Sequence, residues 1–170
     1  MLFKYFLESS LNDLFKSAVE AFPNTLKRQH AIDPLIIKKL YWTPYLGMRT
    51  LFAKGLVESG NKEYNPMILF KEVRYTENKG GVEIVTSEEK SYFFEPLSTD
   101  KDVVLRCNCN DFKWRFSYYN HLDKSLYGRK PAEYESKGID PPANPNESPG
   151  MCKHLMKMVK VIKNMDILDW

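Results

Sequence analysis

Two tripeptides far apart in the chain limit what it can fold into: Cys107-Asn108-Cys109 and Cys152-Lys153-His154. Together they hold every cysteine of the protein and one of its three histidines. Three thiols and one imidazole make a complete tetrahedral Cys3His donor set, the closed coordination typical of structural zinc. Two donors separated by one residue reach a common ion only from an extended or turning backbone. Cys107 and Cys109 follow the apolar run Val103-Val104-Leu105-Arg106, which places them at a strand end. Cys152 and His154 follow Pro149-Gly150, at a loop-to-helix junction where a helix N-terminus also favours thiolate charge. The plainer alternative is three buried free thiols and a surface histidine, a coincidence that would rarely pair the donors this way. An odd number of cysteines at ligand spacing argues against a disulfide-stapled secreted fold and for a reducing compartment.

The rest of the composition sets broad bounds. With 170 residues, 43% of them apolar, the chain can build one ordinary globular domain with room for a small appended module. A formal charge of +3 neither demands nor excludes a nucleic-acid partner. The apolar start, Met1 to Leu7, is cut off by Glu8 before a signal sequence or membrane span could form. The expectation is a soluble cytoplasmic protein with no membrane partner.

Along the chain, Phe3, Leu7, Leu11, Leu14, Phe15, Ala18 and Phe22 fall at helical spacing, so 2–22 reads as an amphipathic helix ended by Pro23. Ser10 with Asp13 could instead cap a shorter helix that starts there. Residues 24–54 are basic: Lys27, Arg28, Lys38, Lys39, Arg49 and Lys54 stand against Asp33 alone, interleaved with Tyr41, Trp42, Tyr45 and Phe52. Such a surface suits phosphate contact and base stacking, although a solvated strand-and-turn region is the commoner meaning. From 49 to 106 the pattern is β. Runs at 49–59 and 67–76, then Val82–Val85, Ser91–Phe94 and Val103–Arg106, are separated by turn signals, with a hairpin expected across Glu77-Asn78-Lys79-Gly80-Gly81. Short antiparallel strands between an N-terminal helix and a zinc-stapled C-terminal helix predict an α+β fold. The expected division is a body over 1–102 and a zinc-binding module over 103–170.

The order C-x-C followed by C-x-H resembles the SWIM-type zinc finger. Asp111-Phe112 after the first pair and Gly150-Met151-Cys152-Lys153-His154-Leu155 at the second extend that likeness over roughly residues 103 to 163. The resemblance implies zinc ligation by Cys107, Cys109, Cys152 and His154, and a role in binding DNA or proteins. This chain departs from the family in its insert, because 42 residues (110–151) separate the pairs. The long-insert form, with Pro-Ala-Asn-Pro ahead of Pro-Gly-Met-Cys-Lys-His-Leu, is also similar to small proteins encoded by tailed bacteriophages. That likeness implies a virion context.

The insert carries Phe112, Trp114, Phe116 and Tyr118 at alternate positions, which suggests a strand with one aromatic face. Phe112, Arg115, Phe116 and Tyr119 fit a helix equally well. Proline at 131, 141, 142 and 145 suggests an extended arm, and six basic against six acidic residues leave it uncharged overall. A balanced aromatic arm fits protein contact, with Phe112, Trp114, Phe116, Tyr118 and the terminal Trp170 as candidates. Residues 152–168 read as the closing helix, apolar on one face and basic on another through Lys153, Lys157, Lys160 and Lys163. No phosphate loop, nucleophile elbow or His-Glu metalloprotease pattern occurs, and four protein ligands leave zinc no open position for water. The expected function is a non-enzymatic zinc-binding component of a protein assembly. The alternative is a nucleic-acid-binding accessory protein using Lys27, Arg28, Lys38, Lys39, Arg49, Lys157 and Lys160.

Overall fold

A computed structural model describes residues 9–20, 34–77, 79–132 and 143–170. Its mixed α and β architecture agrees with the sequence expectation. Helix α1 spans Leu11–Glu20 and turns Leu11, Leu14 and Ala18 into the core. It starts where Ser10 and Asp13 permit. The Ser10 hydroxyl accepts the Asp13 N–H at 3.1 Å, while Asp13 Oδ2 accepts the Ser10 N–H and hydroxyl at 3.3 and 2.8 Å. This reciprocal cap satisfies donors that the first helical turn otherwise leaves open. Of the helix expected over 2–22, Ser9 and Ser10 are not helical, Ser10 bridging Asp102 instead, and residues 2–8, 21 and 22 lie outside the described residues.

Strands β1 (Ile36–Tyr45), β2 (Thr50–Ser59), β4 (Met67–Phe70) and β9 (Val103–Arg106) form an antiparallel sheet in the order β1-β2-β4-β9. Strand β3 (Lys62–Tyr64) pairs with the far end of β2. Between β3 and β4 stands Pro66, whose carbonyl still accepts the Gly55 N–H at 2.9 Å although proline can donate nothing in return. Alternation along β2 sends Leu51, Ala53, Gly55 and Val57 inward, and Phe52, Lys54, Leu56 and Glu58 to the other face. In β1 the alternation is broken by a bulge between Ile37 and Lys39, which allows Ile37, Leu40 and Trp42 to pack on the same side.

A second sheet, β5 (Tyr75–Thr76), β7 (Ser91–Phe94) and β6 (Val82–Val85), runs in the order β5-β7-β6. The hairpin expected across 77–81 is therefore not made, because β7 inserts between its two strands. Phe94 pairs with Tyr75 on one side and Val82 on the other. The tight turn is the next one, where Thr86 and Lys90 close over Glu89 and lead β6 into β7. Strand β8 (Leu97–Ser98) pairs in parallel with the C-terminal β10 (Leu168–Asp169).

After β9 the chain is helical, with a π-helical turn over Phe112–Phe116 running into α2, Ser117–Leu122. The strand reading of 112–118 is corrected here. Phe112, Phe116 and Tyr119 are buried while Trp114 is exposed, which is helical and not alternating burial. Helix α3 (Lys153–Asn164) lays His154, Leu155, Met156, Met158, Val159 and Ile162 into the core. Gly55 leaves room for it, since a Cβ there would meet Met158 Sδ at 3.3 Å. One buried cluster joins α1, both sheets, the π-helical turn and α3, so the expected division at 102/103 crosses a continuous core. Among the described residues no helix is long and apolar enough to cross a membrane.

Two tests follow from these contacts. Replacing Ser10 by alanine should lower stability by about 1 kcal/mol in denaturant titration, the usual cost of an N-cap. Tyr75 is half-buried and its hydroxyl donates to the Thr50 carbonyl at 2.6 Å; burial pushes its pKa up to about 12. The folded protein thus keeps a proton that the unfolded chain releases near pH 10. This contribution to stability should be intact below that pH and fall as the pH rises towards 12. The fall should disappear in Tyr75→Phe.

Candidate metal centre

The last residues of β9 deliver the first donor pair, and the loop that follows turns both thiols inward. Cys107 and Cys109 are each 3% exposed, and Asn108 between them faces solvent. Asn108 is not idle, for its Oδ1 accepts the Asn65 N–H at 2.8 Å and ties the ligand loop to the β3–β4 connection. Cys109 Sγ accepts the Phe112 N–H at 3.3 Å, and its carbonyl accepts the Lys113 N–H at 3.0 Å. The helical stretch therefore begins on Cys109 itself.

The second pair comes from the start of α3. Cys152, fully buried, is the extended N-cap residue, and its carbonyl accepts the Met156 N–H at 3.0 Å. His154 sits in the first turn with its ring stacked on Tyr64 at 4.2 Å between centroids. Its Nδ1 lies 3.9 Å from Cys107 Sγ and 3.8 Å from Cys152 Sγ, while its buried Nε2 has no hydrogen-bond partner among the described residues. The donor atoms of Cys107, Cys109, Cys152 and His154 all lie within 4.8 Å of one another, and all four residues are buried. The cluster can hold a metal ion. A tetrahedron with metal–sulfur bonds of ~2.3 Å and a metal–nitrogen bond of ~2.0 Å has edges of about 3.6 Å. The distances to Nδ1 are close to that edge.

Electrostatics point the same way. Hydrogen bonds from the Cys107 and Cys152 thiols, with the Phe112 amide, hold the Cys109 thiol far below its ordinary pKa. Sharing that bond with Cys109 pushes Cys107 up, and burial pushes Cys152 up. Burial and mutual repulsion oppose three neighbouring thiolates in such a pocket, and a bound cation would offset both.

Sequence reasoning found the four clustered residues but missed what returns the chain to them. Asn120, fully buried on α2, clasps Gly150 from both sides: its Oδ1 accepts the Gly150 N–H at 2.9 Å and its Nδ2 donates to the carbonyl at 3.1 Å. Asn144 Nδ2 donates to the carbonyls of Arg115 and Ser148 at 2.9 and 2.8 Å. The Ser17 hydroxyl donates to the Pro149 carbonyl at 2.8 Å. A Cβ on Gly150 would stand 2.8 Å from the Phe116 ring, so glycine is required where the chain passes beneath it. The only sequence signal for this arrangement was the Pro149-Gly150 pair ahead of Cys152.

The other expected contact residues are dispersed. Phe112 and Phe116 are in the core and Tyr118 is half-buried, edge-on to Tyr119; of that aromatic row Trp114 alone is well exposed, with Lys113 Nζ over its ring at 4.5 Å. The insert is accordingly no free arm over 110–132 and 143–151; Pro141 and Pro142 lie outside the described residues. Trp170 packs against its own chain, edge-on to Phe15 at 5.5 Å and under Lys163. Of the basic set, Lys27 and Arg28 lie outside the described residues. Lys38 is held by Glu58 and Glu63, which raise its pKa through hydrogen bonds and leave it ill placed to bind phosphate. Lys39 and Arg49 are exposed, Lys157 is half-exposed and Lys160 is exposed on α3.

Comparison of the chain with protein families, curated proteins and solved structures finds no match. The likeness to SWIM-type fingers therefore rests on the ligand tripeptides and their immediate neighbours.

Replacing Asn120 by alanine should cost about 2 to 3 kcal/mol, because it strands the buried Gly150 amide and carbonyl. Urea unfolding would read the loss. A comparable loss is expected for Gly150→Ala, about 1 to 3 kcal/mol from overpacking against Phe116.

Proposed function

We propose that the protein is a non-enzymatic, zinc-stapled interaction protein, in which Cys107, Cys109, Cys152 and His154 hold one structural zinc ion. The convergence of three thiols and one imidazole nitrogen within 4.8 Å, all buried, carries this reading. Sulfur-rich donors with one imidazole in a four-coordinate arrangement favour zinc over the hard cations, which take oxygen. Four protein donors leave no position for substrate or water, so the metal supplies cross-linking and no Lewis-acid chemistry at an open site. His154 donates through Nδ1, the nitrogen that faces the thiols. Asn108 and Asn120 orient the two ligand loops, and Tyr64 covers the imidazole face.

The assembly role follows from the same absence of a reactive position: the protein acts through its surfaces. Trp114 is the remaining exposed member of the aromatic row expected to meet a partner.

Elemental analysis of protein purified without added metal should find about one zinc per chain, and chelation should lower the thermal midpoint. Cys152→Ser should lose the metal and the chelator response together. A metal-free protein whose stability is indifferent to chelation would overturn the proposal. Because protons compete for the thiolates, release of the metal to a chelator should accelerate as the pH is lowered.

A further inference from the structure

The face of the four-stranded sheet opposite the core carries a pattern that the metal centre does not explain. Beyond the bulge, β1 sends Lys39, Tyr41, Thr43 and Tyr45 to that face. Tyr41 lies opposite Lys54, and Thr43 lies opposite Phe52. Pairing continues the rows across the sheet, from Lys54 to Met67 and Arg106, and from Phe52 to Leu69 and Val104. At the β9 edge, residues 125–127 run alongside Leu105, and Tyr127 packs its ring on Phe52 at 5.3 Å between centroids. Arg106 donates from Nε to the Tyr127 carbonyl at 2.6 Å and from its terminal nitrogen to Arg129, which fixes that ring's backbone. Tyr41 is 41% and Tyr45 45% exposed, well above what a packed sheet face leaves open.

The charges on this face are mostly basic. Lys39 and Lys54 make no ion pair among the described residues, and Arg129 and Lys130 are exposed beside Tyr127. The acids on the same face, Glu58 and Glu63, lie at the Lys39 end of β2, away from Lys54 and Phe52, and both are engaged by Lys38. Tyr41 and Phe52 sit at diagonal positions on neighbouring strands, ~7 to 8 Å apart at the backbone, with Lys54 opposite Tyr41. A polyanion whose successive units carry flat rings fits that spacing. Duplex hides those rings inside its stack, whereas a single strand offers them.

We propose that this face binds single-stranded nucleic acid, with Tyr41, Phe52 and Tyr127 stacking bases and Lys39 and Lys54 contacting phosphates. The reading is independent of which metal the Cys3His cluster takes, since none of these residues touches it. Stacking on such a platform tolerates any base sequence, so the interaction selects strandedness over sequence.

Fluorescence anisotropy of the full chain tests it, with a labelled oligothymidylate of about 20 nucleotides and a duplex of the same length as probes. The single strand should bind more tightly than the duplex. With two phosphate contacts, affinity should fall roughly sevenfold between about 50 and about 200 mM salt. Tyr41→Thr, which keeps a β-favouring residue, should weaken binding by about tenfold, whereas Tyr41→Phe should retain it. Replacing Lys39 and Lys54 together by glutamine should flatten the logarithmic salt slope by about 1.4. Thermal unfolding and metal content measured on the same samples should match the parent protein, which separates a lost surface from a lost fold. The proposal is overturned by absence of binding at low salt, by equal or tighter binding of duplex, or by folded Tyr41→Thr and lysine variants that bind like the parent. Occupation of this face by a protein partner would appear as the first of these outcomes.

Discussion

Cys107 leaves the central sheet and Cys152 begins the last helix, and the two meet in one buried cluster with Cys109 and His154. That constraint arranges much of what surrounds it. The helical return from Cys109 places Phe112 and Phe116 in the core; Phe116 forces glycine at 150; Gly150 is clasped by Asn120 one short helix away. Each contact depends on the one before it. Holding the donors together also closes a loop of more than 40 residues, an entropic cost of about 3 kcal/mol that the interactions around the cluster must offset.

The donor set was legible because four residues of the right chemistry occur in two close pairs, and chemistry is local to residue type. The capping pair Ser10 and Asp13 was legible for the same reason, since three residues fix both partners. Pairing between strands was not. The turn signal at 77–81 marked a break between strands but not its geometry: β5 and β6 both run antiparallel to β7, so they share one direction with β7 between them. The aromatic run from Phe112 satisfied a period of two and of nearly four alike. Burial decided for the helix, through packing against elements distant in sequence.

Asparagines 120 and 144 illustrate the deeper limit. Each satisfies buried backbone groups of a segment far along the chain, a role open to any asparagine and announced by none. Their value exists only after the insert has folded back, and so no local pattern encodes it. The basic region, conversely, looked uniform in sequence and was sorted by the pleat. Trp42 went to the core, Tyr41 and Tyr45 to the open face, and Lys38 to a pair of carboxylates.

The irregularity in β1 has a bearing on how copies of this chain meet one another. Ten residues long and hydrogen-bonded on one side among the described strands, β1 has the length to template growth of the sheet from molecule to molecule. The bulge at Lys38 bends the line of free amides, adjacent lysines repel a second identical edge, and Pro44 offers no amide at all. The edge is thereby blunted against runaway association, while its neighbouring face stays accessible.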